Sequence, residues 1–308
     1  MKKGAISSDV LLLITAAIWG FAFTAQRLGM DHIGPFLYTG IRFLLGALVL
    51  LPLLAARKKP PNDAERKEPP RRQILRIGAV AGFFLFFGVT FQQIGLQYTT
   101  AGKAGFITGL YVILVPILGI IWRQRSHGGT WAGAGLAVVG LYFLSVTEGF
   151  RIGSGDLLVL AGAFFWAFHV HIIGKFAKTL DSVKLAIFQY VFCGIISLIV
   201  AIIIEPVEMA AILKAALPIA YGGIASVGIA YTLQVIAQKT APPAHAAIIM
   251  SLEGVFAVIG GYLFLAEVLA FRGIFGCSLM LLGMLISQVA VTRAAKKDKV
   301  EIAISSAE

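Results

Sequence analysis

The chain has 308 residues, of which 58% are hydrophobic and only 13% charged, with a formal net charge of +11. Water-soluble domains carry roughly 25% charged residues, so this composition excludes an ordinary soluble domain and points to lipid as the solvent. The basic residues gather at the ends of apolar runs, so the excess charge reads as orientation in a bilayer and excludes nucleic acid as a partner.

Ten runs are long and apolar enough to cross a bilayer, which takes about 20 residues. In chain order they are Val10–Gly29, Pro35–Ala55, Ile77–Tyr98, Gly102–Trp122, Thr130–Thr147, Asp156–Ala177, Val183–Ile204, Leu217–Gln238, Ala244–Leu265 and Phe271–Val291. Lys2 and Lys3 ahead of Val10–Ala22 have the look of a removable signal. The same segment recurs in the second half of the chain, so it is read as the first span. Asp9 and Asp156 are expected to open their helices, where a carboxylate suits the positive end of the dipole. The connection 56–76 is charged and proline-rich, and reads as a solvated loop; residues 293–308 read as a tail.

With the N-terminus inside, 20 of the 26 Lys and Arg residues fall on the inner side and five on the outer, with Arg42 inside a span. This positive-inside bias predicts two cytoplasmic termini and an even number of spans in the inner (plasma) membrane. Cys193 and Cys277 lie within apolar runs and read as small apolar fillers rather than a redox or metal pair.

The two halves repeat. Asp9, Trp19 and Phe21 recur as Asp156, Trp166 and Phe168; Gln93 and Gln97 recur as Gln234 and Gln238; Gly133 and Gly140 recur as Gly276 and Gly283. Five spans per half is an odd number, so the second half must enter the membrane with opposite sidedness. The expected fold is therefore an all-α integral membrane protein of ten transmembrane helices in two inverted five-helix repeats, residues 1–148 and 149–292. Such repeats are a basis of alternating access, with the ligand site near the midplane.

The residues Trp19-Gly20-Phe21, Ile41-Arg42-Phe43-Leu44-Leu45, Ser251-Leu252-Glu253-Gly254-Val255-Phe256-Ala257 and Leu265-Ala266-Glu267-Val268-Leu269, with Gly276 and Gly283, resemble EamA-type members of the drug/metabolite transporter superfamily. The resemblance covers about residues 9–290. The family usually has Pro at the position of Gly254 and Gly at that of Ala266. It implies a gradient- or proton-linked carrier for small metabolites, often amino acids, and names no substrate. Neither a cofactor nor a metal is expected, and the partners are a small-molecule substrate, the bilayer and a proton as coupling ion, with the chain acting as a monomer or homodimer.

Polar groups at membrane depth supply the candidate site. Arg42 and Glu253 lie at similar depths, roughly 12 and 15 Å from opposite faces at 1.5 Å per residue. They suit a substrate carboxylate and a proton or amine, respectively; the alternative is a buried pair that fixes packing. Tyr111 is the repeat mate of Glu253, and Gln189 that of Arg42. Trp19 and Trp166 sit near mid-span, where they line an aromatic cavity or pack the halves together. Gln93 and Gln234, with Gln92 beside the former, line a cavity or bond helices to one another. Thr108 and Ser251 are candidates for the same surface or for bonds to their own helices. His169 is a second proton-coupling candidate, and the two-residue spacing to His171 argues against a shared metal. Gly105 and Gly109 form a GxxxG packing signal. No nucleotide-binding, protease or hydrolase motif occurs, so no enzyme activity is expected. The alternative function is a multidrug or lipid-like amphiphile carrier with a mostly apolar cavity.

Overall fold

The computed structural model describes residues 3–56, 71–120, 128–145, 153–283, 285, 286, 289 and 293. Most of the connection 56–76, the basic pair Arg123 and Arg125, the last residues of the fourth, fifth and tenth expected spans and nearly all of the tail lie outside the described residues. Among the described residues the fold is helical throughout.

The helices follow the apolar runs: α1 (Lys3–Met30), α2 (Pro35–Ala56), α3 (Arg71–Gly95), α4 (Ala101–Gly109), α5 (Tyr111–Gly119), α6 (Gly128–Ser145), α7 (Ser154–Phe176), α8 (Ser182–Ile204), the short α9 (Met209–Lys214), α10 (Ala216–Ala220), a π-helix (Tyr221–Tyr231), α11 (Thr232–Ala237), α12 (Pro243–Met250) and α13 (Glu253–Leu265), then α14 (Phe271–Gly283). Taken together these give eight segments long and apolar enough to cross a membrane. Two shorter apolar helices, Trp131–Leu144 and Phe271–Gly283, lie where the fifth and tenth spans are expected.

Three expected spans are interrupted. The fourth is broken at Leu110, between α4 and α5. The ninth is broken at Ser251 and Leu252, between α12 and α13. The Ser251 hydroxyl donates back to Ile248 O at 2.7 Å, a bond of the kind that bends helices. The eighth contains the π-helix, whose i→i+5 pattern is rare and favours functional positions.

Helices of one half pack chiefly on helices of the other. α2 runs along α8, α3 along α7 and α8, and α13 lies between α1 and α4. Small residues allow the closest approaches. A Cβ on Gly20 would lie 2.2 Å from Phe256 Cβ and 2.7 Å from Glu253 O, so only glycine lets α1 reach the break at Glu253.

One end of the bundle gathers the C-terminal ends of α1, α3, α8 and α13 with the N-terminal ends of α2, α4 and α7. There Gly29 abuts Tyr38 and Pro218, Gly95 abuts Gly155, and Met30 packs with Ala101 and Leu265. Asp156 in the first turn of α7 accepts from the Thr99 hydroxyl and lies 3.6 Å from Lys103 Nζ. At the other end Asp9 pairs with His245 at 2.7 Å and the Ser8 and Thr240 hydroxyls share a 2.6 Å bond. The expectation that Asp9 opens its helix is therefore corrected. α1 begins at Lys3, and the Asp9 carboxylate serves a neighbouring helix rather than its own dipole.

Candidate functional site

The interruptions surround a cavity in the middle of the bundle. α1 contributes Trp19, Ala22, Phe23 and Gln26, which at spacings of three, four and seven share one helix face. Arg42 comes from α2, Gln92 from α3, Thr108 from α4, Tyr111 from α5, Trp166 and Val170 from α7, Ser226 and Tyr231 from the π-helix, Gln234 from α11, Met250 from α12 and Glu253 from α13.

Three rings form a continuous aromatic wall. Tyr231 stands between the indoles, 4.5 Å from Trp19 and 5.8 Å from Trp166, and stacks on the latter at 24°. The Trp19–Trp166 distance is 6.5 Å, so the repeat-related tryptophans both line the cavity and touch each other. Their polar edges are fixed. Trp19 Nε1 donates to Ser226 O at 3.3 Å, and Trp166 Nε1 donates to Gln92 Oε1 at 3.0 Å. Gln92 Nε2 in turn donates to Gln26 Oε1 at 3.3 Å. One amide thus orients a ring and a second amide of the wall. Thr15 donates to Ala230 O at 3.2 Å and Tyr221 to Ile18 O at 2.9 Å, so the π-helix is held to α1 along its length.

Two charged groups face this cavity. The Arg42 side chain is 1% exposed, and its guanidinium lies 5.5 Å from the Tyr38 ring and 5.1 Å from the Phe43 ring. Its Nε and Nη2 have no hydrogen-bond partner among the described residues. Glu253 is 3% exposed, and its Oε1 also lacks one. Tyr111, at the first position of α5, neighbours the Glu253 carboxyl, at the first position of α13. The Thr108 hydroxyl is likewise buried and without a partner among the described residues.

Glu253, Tyr111, Trp19, Trp166, Arg42 and Gln234 therefore line one cavity, as does Thr108. Gln93, Gln189 and His169 lie outside its lining. Gln189 Oε1 accepts from His169 Nε2 at 2.7 Å, and His169 stands edge-on to Trp166 at 5.9 Å, behind the aromatic wall. Gln93 is fully buried, and neither end of its amide has a partner among the described residues. Ser251 back-bonds instead of facing the cavity, and His171 bonds to Val115 O at 2.7 Å. Sequence reasoning missed Gln26, Ser226 and Tyr231. The three-, four- and seven-residue spacing from Trp19 marks Gln26; the other two depend on the π-helix register, for which the sequence carries no clear signal.

A bundle of apolar helices around a midplane cavity with charged and aromatic walls is a multi-pass membrane protein of transporter type. The EamA-like transporter family model matches residues 6–146 and 153–288, and the chain belongs to that family. It is 32% identical to an uncharacterized transporter of Archaeoglobus fulgidus over 92% of this chain and 86% of that protein. It is 29% identical to a probable amino-acid metabolite efflux pump of Salmonella typhimurium over 51% of this chain and 50% of the pump. It is 28% identical to the S-adenosylmethionine/S-adenosylhomocysteine transporter of Chlamydia muridarum over 61% of each. The last two matches span less than two thirds of those proteins. A solved crystal structure at 19% identity superposes with a TM-score of 0.67, covering 94% of this chain and 99% of that one, and shares the fold.

Proposed function

We propose that the chain is a secondary transporter that exports a small metabolite carrying both a carboxylate and an amine, an amino acid or a related compound. In this reading ten helices cross the inner (plasma) membrane as two inverted five-helix halves, residues 1–148 and 149–292, with both termini cytoplasmic. The substrate is exposed to each side in turn by alternating access.

The observation that carries the reading is the pair of incompletely partnered buried ionisable groups, Arg42 and Glu253, on the walls of one cavity. A buried charge is costly unless paired, and within a membrane it marks a ligand or ion pathway. A zwitterion satisfies both groups at once. Its carboxylate accepts from Nε and Nη2 of Arg42, its amine donates to Glu253, and its side chain lies on the Trp19–Tyr231–Trp166 wall. Glu253 also serves as the proton-coupling group, because a proton and a substrate amine compete for the same oxygens. His169 is the second candidate for that role. The amino-acid metabolite efflux pump among the relatives supports this substrate class.

The continuous aromatic wall favours a second reading, a carrier of hydrophobic amphiphiles. Thermal denaturation of the purified protein separates the two, since a ligand that binds only the folded state stabilises it. Amino acids, but not the matching amines or carboxylates alone, are expected to raise the midpoint, and Arg42→Met to abolish the rise. Stabilisation by hydrophobic cations alone would transfer the case to the second reading.

A further inference from the structure

The end of the bundle away from the basic connections carries two carboxylates used in the same way. Glu205, at the C-terminal end of α8, accepts from Phe36 N at 2.8 Å and Leu37 N at 2.7 Å. Glu267, just past α13, accepts from Ala101 N at 2.8 Å and Gly102 N at 3.2 Å. Each side chain thus spans two amides in the first turn of a helix more than 160 positions earlier, α2 or α4. Helix N-termini have unpaired amides and a partial positive charge, so a carboxylate is held there by both effects.

These are not ordinary local caps. α4 already has one, because Thr100 Oγ1 accepts from Lys103 N at 3.2 Å. Glu267 is added from another helix and is aimed by an unusual turn. Ala266 has φ 53°, and Glu267 N bonds back to Gly261 O at 3.1 Å. Both carboxylates are only half-buried, so water is at hand to replace the amides on release. Their contacts join a second-half helix to a first-half helix at the end of the bundle that holds the C-terminal end of α1. At the opposite end Asp9 pairs with His245 and Ser8 with Thr240.

We propose that Glu205 and Glu267 are two latches that hold this end of the transporter closed in the present conformation, and that both let go of their helix N-termini when the cavity opens to that side. The inference rests on the alternating-access reading above but not on the substrate.

The geometry also supplies a test that leaves the glutamates in place. A Cβ on Gly34 would lie 2.2 Å from Glu205 Cδ, and one on Gly261 would lie 2.4 Å from Glu267 Oε2. Gly34→Ala with Gly261→Ala therefore displaces the mobile end of each latch, whereas Glu205→Gln with Glu267→Gln removes its charge. Each pair is combined with Cys193→Ala, Cys277→Ala and a reporter, Ser226→Cys, on the cavity wall. Labelling by a membrane-impermeant maleimide is then followed in right-side-out and inside-out vesicles.

Both pairs are expected to label faster from the side carrying the latches, about fivefold or more, and more slowly from the other. Unchanged labelling in a pair that elutes as a monodisperse protein would overturn the proposal. So would failure of both pairs to fold, since the carboxylates would then be end caps that the structure requires. Because labelling needs no transported substrate, its outcome is separate from that of the thermal-denaturation screen.

Discussion

Tyr111 and Glu253 occupy the same place in two broken helices: each is the first residue after the break, and the two meet at one cavity. Glu253 is the ionisable member of this relationship, and its role separates coupling from architecture. Glu253→Gln keeps the shape and removes the charge. If the carboxyl carries the coupling proton, gradient-driven flux falls to background while substrate exchange at equal pH persists. Loss of both modes, read in proteoliposomes, would assign Glu253 to substrate binding or packing rather than to coupling alone.

Arg42→Lys is not a conservative change at this site. The guanidinium has Nε and Nη2 both without a partner among the described residues and so can bind one carboxylate through two bonds, whereas an ammonium offers only a point charge. Losing one of two charge-assisted bonds costs about 1.5–3 kcal/mol, or roughly 10- to 150-fold in affinity. A rise in the apparent KM of that order is expected for substrates bearing a carboxylate.

Gln92→Leu leaves the Trp166 indole N–H without its acceptor and frees Gln26. An orphaned buried donor costs about 1–3 kcal/mol. The expected result is a lower thermal midpoint together with weaker ligand-induced stabilisation. Gln92→Glu, which restores an acceptor at the same position, is expected to recover part of the second effect.

Ala266→Gly relieves a left-handed residue. An L-residue with a Cβ is disfavoured there by about 1–2 kcal/mol, and glycine accepts it freely. The substitution is expected to raise the thermal midpoint, with Glu267 still facing α4. A lowered midpoint would mean that the methyl group contributes packing that outweighs the backbone relief.

Much of this site is legible in the sequence because symmetry and burial both leave marks there. Arg42 and Glu253 stand out as charges in apolar runs, Trp19 and Trp166 as repeat mates, and Tyr111 as the mate of Glu253; all five line the cavity. Gln189 and His169 are equally conspicuous, yet they bond to each other at 2.7 Å behind the wall. Sequence marks depth, and it does not fix which way a side chain turns. The breaks at Leu110 and Ser251–Leu252 are missed because hydropathy continues across them, and the π-helix because its register depends on bonds such as Thr15 to Ala230 O from α1. Asp9 is misread for the opposite reason. The start of an apolar run is not the start of a helix, and α1 extends back to Lys3.

The latch carboxylates have no counterparts among their repeat mates. At the offsets that relate Arg42 to Gln189 (147) and Tyr111 to Glu253 (142), Glu205 corresponds to Lys58 and Glu267 to Arg125. On the inverted reading proposed above, each mate lies on the opposite surface of the bilayer, where topology favours cations. A duplicated helix therefore inherits its partner's geometry but not its electrostatic surroundings. The two faces of a pseudosymmetric carrier must then be fastened by different chemistry, and the barriers to opening inward and outward become separately adjustable by mutation.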